Sequence, residues 1–511
     1  MPDGPQDLQD LRVAALRGLR WVAVARPLIE CLVVASMVTL ARLIPPAEFG
    51  HVATASLITG FGAASVSALS AALVQRPTLR REHLQAANAL AWGCGAVLLG
   101  LALVAARVVM EPVFGARTAD MVRLAAPGAL IAAAGVVPVA MLQRELAFRR
   151  LSIIDITGSA VRGIGALGLA LAGLDAPALV LGGLAALAAQ TALAWLWAPP
   201  PLPRARWAAA RDLLHNGMPN WLAAVSWIGF ANCDYAIVGA RLGAVQAGLY
   251  FRSYTLAVEC QKKVSNVMTS VGFPVLARTR TGEELSTLRG QMIVLSTVLI
   301  FPCLALLAVL APVAVPWVFG EEWRAAVVPT QVLALGGAAT LVIDAIGTTL
   351  MAAGRSRAVL GFGWAHFVTY AVAVFFTAPL GLVGVAAAAA AVHAGFVVVA
   401  YRVMHRSADK AVLTRIREDL APAVCSCAGL VAVGVPATLA MSAMQAPPLL
   451  QLIVVTSAAA CGYVAVLRTC FAPTWRAVTG FARRLLGDRV RRRRRASGAV
   501  DVLPSPITVE D

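Results

Sequence analysis

Ten charged residues lie inside otherwise apolar stretches of the sequence, where they could bind ions or charged substrate groups. The basic residues are Arg26, Arg162, Arg252, Lys262 and Lys263, and the acidic residues are Glu30, Asp155, Asp234, Glu259 and Asp344. At the centre of a membrane helix each charge costs roughly 2.5–3.5 kcal/mol, so such residues are expected to face a shared protein interior. This set therefore predicts a charged cleft within a membrane domain.

The basic residues of this cleft are candidate ligands for an anion. Guanidinium and ammonium groups bind phosphate well, and we expect Arg26, Arg252 and Lys262 or Lys263 to hold a phosphate-bearing substrate. Helical spacing places Asn220, Trp227 and Asp234 on one face, and Arg252, Glu259, Lys263 and Asn266 on one stripe. Asn220 and Asn266 are the candidate neutral contacts. A structural role stays open, because ion pairs such as Arg26 with Glu30 could simply hold helices together.

The elements that must position these residues are long apolar helices. The chain has 511 residues, of which 59% are hydrophobic and 14% charged, whereas soluble domains carry about 25% charged residues. Apolar stretches of at least about 18 residues, each able to cross a bilayer, recur along the chain, which excludes a soluble enzyme. We predict an all-α polytopic membrane protein with fourteen transmembrane helices at 18–41, 49–73, 84–110, 119–142, 150–173, 177–197, 217–240, 246–272, 288–311, 327–352, 357–379, 381–401, 420–443 and 449–470.

The distribution of basic residues predicts the orientation of these helices. With the N-terminus inside, 32 of the 43 Lys and Arg residues fall in cytoplasmic segments and 6 in outer segments. Such an asymmetry follows the positive-inside rule and places both termini in the cytoplasm. Most of the net charge of +17 is therefore explained by the basic residues of the predicted cytoplasmic segments. The run Arg491–Arg495 is expected to lie on anionic membrane lipids, and nucleic acid is not predicted as a partner.

Short motifs recur in the two halves of the chain. Ala41-Arg42-Leu43 precedes Gly50, as Ala240-Arg241-Leu242 precedes Gly248, and Val113-Phe114-Gly115 is matched by Val318-Phe319-Gly320. The shared order indicates a parallel repeat of six helices. The predicted organisation is a cytoplasmic N-terminus (1–17), a first lobe (18–197), a cytoplasmic linker (198–216), a second lobe (217–405), two further helices (406–471) and a basic, partly disordered cytoplasmic tail (472–511).

No motif for catalysis or cofactor binding accompanies this organisation. The sequence has no Gly-rich phosphate loop and no HExxH, and its nine cysteines lack the spacing of metal ligands. No loop is long enough to form a soluble domain. We therefore predict no enzymatic activity, no cofactor and no metal site.

Several segments resemble bacterial polysaccharide repeat-unit flippases, which belong to the multidrug/oligosaccharidyl-lipid/polysaccharide exporter superfamily. The similar segments are Ala41–Gly50, Ala72–Arg76, Leu142–Leu151, Asn232–Tyr235, Gly239–Gly243, Gly248–Tyr254 and Phe273–Arg278. The Lys262-Lys263 pair and the arginine tail lie outside this pattern.

The resemblance implies two six-helix lobes plus two helices, located in the bacterial inner membrane, with transport by alternating access. The implied cargo is an oligosaccharide repeat unit on undecaprenyl pyrophosphate, moved to the outer leaflet for lipopolysaccharide or exopolysaccharide biosynthesis. Glu30, Asp234 and Glu259 would be acidic residues of the cleft, and Glu30 or Asp234 could couple transport to protons or sodium. Membrane lipids and the polysaccharide polymerase and chain-length machinery would be partners.

Three other functions stay open on the sequence. A cation-coupled multidrug exporter would favour an acidic cleft, whereas five basic and five acidic residues balance here. A flippase for a lipid-linked peptidoglycan precursor would share the fold. A membrane glycosyltransferase or polymerase would need a larger outer loop with catalytic residues.

Overall fold

The computed structural model describes residues 27–76, 79–259, 261–262, 265, 272, 276, 279, 281–405 and 409–480. At some helical positions, including 61–68 and 215–231, it describes the backbone alone. The described part is helical throughout, with short connecting turns and no strand. The predicted all-α class is thereby confirmed for these residues.

The described residues between 27 and 197 form seven longer helices. They are α1 (27–43), α2 (Pro46–Gln75), α3 (Arg81–Ala105), α4 (Ala116–Ala125), α5 (Gly128–Arg144), α6 (Phe148–Leu171) and α7 (Ala176–Trp197). A π-helical turn, Ala106–Met110, and the short helix Glu111–Phe114 prolong α3. Pro127 separates α4 from α5, because proline cannot donate the backbone hydrogen bond that a continuous helix requires.

The second part of the chain forms longer helices. They are α8 (Trp207–Leu242), α9 (Ala244–Tyr254), α10 (Gly282–Phe319), α11 (Val327–Ala352), α12 (Ser356–Thr377), α13 (Gly381–His405), α14 (Asp409–Ala443), α15 (Pro448–Cys470) and α16 (472–480). A π-helical turn, Thr255–Glu259, follows α9, and a 3₁₀ turn, Glu321–Ala326, precedes α11. Each of the fourteen predicted segments overlaps a described helix.

Length and hydropathy mark this as a multi-pass membrane protein. Among the described residues, nine helical stretches are long and apolar enough to cross a membrane, and one of them, Arg357–Met404, contains both α12 and α13. Large apolar side chains on their outer surfaces, such as Val108, Leu196 and Phe376, are exposed, as expected for a surface that faces lipid. The number of fourteen crossings stays a prediction.

Contacts divide the chain into two compact units. Unit 1 comprises the described residues of Met1–Leu256, Ala311–Leu333 and Trp364–Val392, and unit 2 those of Ala257–Leu310, Ala334–Gly363 and His393–Asp511. The division into two six-helix lobes stays a prediction.

Close helix packing in each unit depends on small residues. In unit 1, Gly182 of α7 lies against Ala166 of α6, and in unit 2, Gly429 of α14 lies against Gly462 of α15. Small residues let helix backbones approach closely in a membrane, where dispersion contacts replace the hydrophobic effect as the main attraction.

Two arginines of the predicted cytoplasmic side cap helix ends. Arg144 donates to the carbonyl oxygens of Leu73 and Val74 at the end of α2. Arg355 donates to those of Val403 and Met404 at the end of α13, at 2.8 and 3.1 Å. The last carbonyls of a helix lack partners within it and carry partial negative charge, so a guanidinium stabilises them.

Candidate functional site

The structure describes four of the nine predicted site residues with their side chains: Glu30, Asp234, Arg252 and Lys262. It gives only the backbone of Asn220 and Glu259. Arg26, Lys263 and Asn266 lie outside the described residues. The roles of all nine residues stay predictions.

Helices α2 and α9 cross closely in unit 1, at the two glycines that the sequence repeat aligns. A Cβ atom built on Gly50 would overlap the carbonyl oxygen of Ala244, and one built on Gly248 would overlap that of Pro46. Gly243 has a φ of +84°, which lets the chain turn sharply between α8 and α9. The crossing sets the position of the later residues of each helix.

Arg252, one turn beyond this crossing on α9, is enclosed by three aromatic rings. Its guanidinium carbon lies 4.8 Å from the ring centre of Phe49, 5.0 Å from that of Phe319 and 4.9 Å from that of Trp323. Only 1% of Arg252 is exposed. Cation–π attraction of this kind is worth about 2 kcal/mol or more when water is excluded. We call these four residues the Arg252 cluster.

The Arg252 guanidinium keeps hydrogen-bonding capacity inside this enclosure. Its Nε and Nη2 atoms are buried and have no hydrogen-bond partner among the described residues. A buried charged donor without a partner is costly, so such groups call for a functional explanation. The described residues leave almost no solvent access to this side chain.

Further hydrogen bonds join the same two segments of unit 1. The Trp323 indole donates to the carbonyl of Ala41 at 2.8 Å. Arg42 donates to the carbonyls of Val318 and Trp317 at 2.8 and 2.5 Å. The last turn of α1, in the predicted first lobe, is thereby hydrogen-bonded to the end of α10 and to the following 3₁₀ turn, in the predicted second lobe.

Asp234 on α8 is a buried carboxylate held by tyrosines. It accepts hydrogen bonds from the hydroxyls of Tyr250 and Tyr370, at 3.0 and 2.9 Å, and from the backbone N–H of Tyr235 at 2.9 Å. The Tyr235 ring packs edge-on against those of Tyr250 and Tyr254. Helices α8, α9 and α12 are thus joined through one carboxylate, and we call Asp234 with these four tyrosines the Asp234 cluster.

A second carboxylate, that of the half-buried Asp344, lies in unit 2. The Gln261 amide donates to Asp344 at 3.3 Å and to the Ser265 hydroxyl at 2.6 Å. Lys262 interacts electrostatically with Asp344. The structure thus gives Lys262 an acidic neighbour on α11 that the helix-stripe argument did not identify.

The predicted stripe of Arg252, Glu259, Lys263 and Asn266 assumed a regular α-helix. The π-helical turn Thr255–Glu259 lies between the first residue and the last two. A π-helical turn holds more residues than an α-helical turn, so regular α-helical spacing does not apply within it, and the stripe beyond Glu259 stays a prediction because Lys263 and Asn266 lie outside the described residues. Such turns are frequent at functional sites.

Sequence reasoning identified the charges and missed the aromatic residues around them. Phe49 and Phe319 both precede a glycine in repeated motifs, and Tyr250 lies two residues before Arg252. These positions were the sequence features that could have pointed to the aromatic residues. Trp323 and Tyr370 carried none, since Trp323 lies 71 positions from Arg252 and Tyr370 lies 136 positions from Asp234.

The fold and its apolar helices define a class of polytopic, all-α membrane protein. The chain is similar to a lipid II flippase, MurJ, in an inward closed conformation, with a TM-score of 0.65 and 12% identity over 88% of this chain and 99% of that chain. It is also similar to an inward-facing multidrug resistance transporter of the MATE family, with a TM-score of 0.55 and 14% identity over 75% of this chain and 95% of that one.

The chain belongs to the family described as polysaccharide biosynthesis protein, whose pattern it matches over residues 39–328. Two relatives are each 26% identical. The teichuronic acid biosynthesis protein TuaB of Bacillus subtilis (strain 168) aligns over 68% of this chain and 73% of its own length. The lipopolysaccharide biosynthesis protein WzxC of Escherichia coli (strain K12) aligns over 70% and 74%. The family resemblance seen in the sequence is confirmed.

Proposed function

We propose that this protein is a flippase that moves an undecaprenyl-pyrophosphate-linked oligosaccharide repeat unit across the bacterial inner membrane, for lipopolysaccharide or exopolysaccharide biosynthesis. Membership of the polysaccharide biosynthesis family supports the glycan pathway. The names of TuaB and WzxC, which specify teichuronic acid and lipopolysaccharide biosynthesis, support the same assignment.

The observation that carries this proposal is the buried Arg252 guanidinium, whose Nε and Nη2 atoms have no partner in the described residues. A pyrophosphate presents several anionic oxygens, and a guanidinium binds such oxygens through paired hydrogen bonds. Neutral polar side chains, with Asn220 and Asn266 as the predicted ones, would contact the sugars.

Transport by alternating access requires the Arg252 cluster to open. On the predicted topology, Ala41, Arg42 and the Trp317–Trp323 segment lie on the outer side, and their hydrogen bonds close that side. Opening would break the Trp323–Ala41 and Arg42–Trp317 hydrogen bonds and expose Arg252 to the substrate path. Residues of both predicted lobes would then separate at the Gly50–Gly248 crossing.

The acidic residues supply candidates for ion coupling. Asp234 is buried and bridges three helices through Tyr250 and Tyr370. Protonation of its carboxylate, or binding of sodium, would weaken these hydrogen bonds and change how α8, α9 and α12 are joined. Glu30 on α1 is the alternative.

Gene deletion followed by glycan analysis tests the proposal. Deletion should abolish the surface polysaccharide and leave the lipid-linked repeat unit on the cytoplasmic leaflet, and the intact gene should restore export. An unchanged polysaccharide would reject the proposal. Loss of peptidoglycan synthesis with normal export, or sensitivity to cationic drugs alone, would reject it in favour of the two related transport functions.

A further inference from the structure

A cavity of about 550 Å³ lies among helices α2, α3, α5, α6 and α7 of unit 1. Its volume is within the range of about 300–1,000 Å³ that is usual for small-molecule sites. Apolar side chains such as Leu101 and Leu187 form most of its wall, and Ser56 and Thr59 add hydroxyls. The cavity is distinct from the Arg252 cluster and the Asp234 cluster, none of whose residues line it.

Arg162 is the only charged residue among the described residues that line this cavity. From Arg162, α6 continues for about 14 Å to Leu171 and extends back about 21 Å to Phe148, at 1.5 Å per residue. Arg162 therefore lies in the middle of an apolar helix, and it is exposed on the surface of the described residues. Within the described residues it makes no hydrogen bond or ion pair, so its charge has no protein counter-ion in that part of the chain.

The cavity is accessible from the side of the helix bundle. Leu101 lines it and is also 59% exposed. Neighbouring residues of α3, Val97 and Val104, are exposed as well, and this apolar surface is the one expected to contact lipid. An acyl chain could thus pass from the bilayer into the cavity without crossing a polar barrier.

We propose that this cavity binds an anionic phospholipid of the surrounding membrane. The phosphate would accept hydrogen bonds from Arg162, with Thr59 as a further donor, and an acyl chain would lie against the apolar wall. An anionic phospholipid should bind more tightly than a zwitterionic one. The positive group of a zwitterionic headgroup offsets most of the attraction between its phosphate and the single arginine. The site would hold a lipid as part of the transporter, separate from the transported cargo.

Lipid binding to the purified full-length protein tests this proposal. We expect native mass spectrometry to detect retained dioleoyl phosphatidylglycerol and about tenfold less dioleoyl phosphatidylcholine at equal concentration. Arg162→Gln should remove this preference, since one charge-assisted hydrogen bond of about 1.5–3 kcal/mol corresponds to tenfold or more. Arg162→Lys should keep most of it, which guards against a folding defect.

A second pair of variants tests the cavity itself. A Cβ on Gly183 would meet open space in the cavity wall, so Gly183→Leu should fill the cavity and displace both lipids. Gly168→Leu on α6, where a Cβ also meets open space outside the cavity, and Arg107→Gln on the exposed face of α3 are the controls. Equal retention of both lipids by the wild type would overturn the proposal. Equal losses of bound phosphatidylglycerol in the Arg162 variants and in the controls would overturn it too.

Discussion

Gly50 and Gly248, aligned by the internal repeat, meet at one helix crossing in the folded protein. Each glycine lies against a backbone carbonyl of the other's helix, at Ala244 and Pro46. Motifs about 200 residues apart in the sequence thus become a single contact between α2 and α9. Phe49 and Arg252, which meet in the Arg252 cluster, lie on either side of that contact.

Adding one methyl group at this crossing should separate the helices. We expect Gly50→Ala and Gly248→Ala each to destabilise the fold by about 1–3 kcal/mol, the usual effect of overpacking. Thermal unfolding in detergent would measure the loss. Gly168→Ala is the matched control, because a Cβ there meets nothing within 4 Å, and it should unfold like the wild type. Unchanged unfolding of both crossing variants would show that the close approach is not maintained.

Removing either tyrosine hydroxyl from Asp234 should destabilise the Asp234 cluster. Tyr250→Phe and Tyr370→Phe each delete a donor to a buried carboxylate, and hydrogen bonds to charged groups contribute about 1.5–3 kcal/mol. Tyr463→Phe is the control, since that hydroxyl donates to the neutral carbonyl of Val298 and should cost less, about 0.5–1.5 kcal/mol. Thermal unfolding of the three variants would compare them. Equal effects at all three positions would argue against a charged Asp234.

Replacing Arg252 separates a binding role from a structural one. Arg252→Met keeps the volume and removes a buried charge with unsatisfied nitrogens, so we expect unchanged or higher stability, as when buried ions are replaced by apolar residues. Transport should fall at least tenfold. Arg289, also buried, interacts electrostatically with Asp419. Arg289→Met should destabilise the protein because it leaves the buried Asp419 carboxylate without this cation. A loss of stability at Arg252 as large as that at Arg289 would indicate a structural ion.

Fixing the Arg42 contact should stop transport. In a cysteine-free background, Arg42→Cys with Val318→Cys joined by a short cleavable cross-linker should block export, and cleavage should restore it. Glu48→Cys with Arg117→Cys is the control, because that ion pair of 3.1 Å lies within the predicted first lobe. Continued export by the cross-linked Arg42 pair would show that this contact does not open during transport.

The helices were predictable because a bilayer demands long apolar segments, and little else in the sequence produces them. The ends of α7, α11 and α15 lie within one residue of the predicted positions for this reason. The sequence also identified Asp234 and Arg252 as candidate site residues, because ionisable residues within apolar membrane helices are rare and mark candidate functional sites.

The surroundings of these charges were not predictable. Phe49, Phe319 and Trp323 come from two segments about 270 residues apart, and no local spacing reveals such a contact. The π-helical turn Thr255–Glu259 has no sequence signature either. The aromatic surroundings and the π-helical turn both depend on contacts within the folded protein that local spacing does not reveal.

Transport of a defined lipid-linked glycan by the purified protein tests the central claim most directly. Proteoliposomes would carry a fluorescent oligosaccharide on undecaprenyl pyrophosphate, and a membrane-impermeant lectin or quencher would report the leaflet it occupies. We predict protein-dependent movement between leaflets that Arg252→Met reduces at least tenfold. Movement no faster than in protein-free liposomes, or equal movement of a peptidoglycan precursor and the oligosaccharide, would contradict the account.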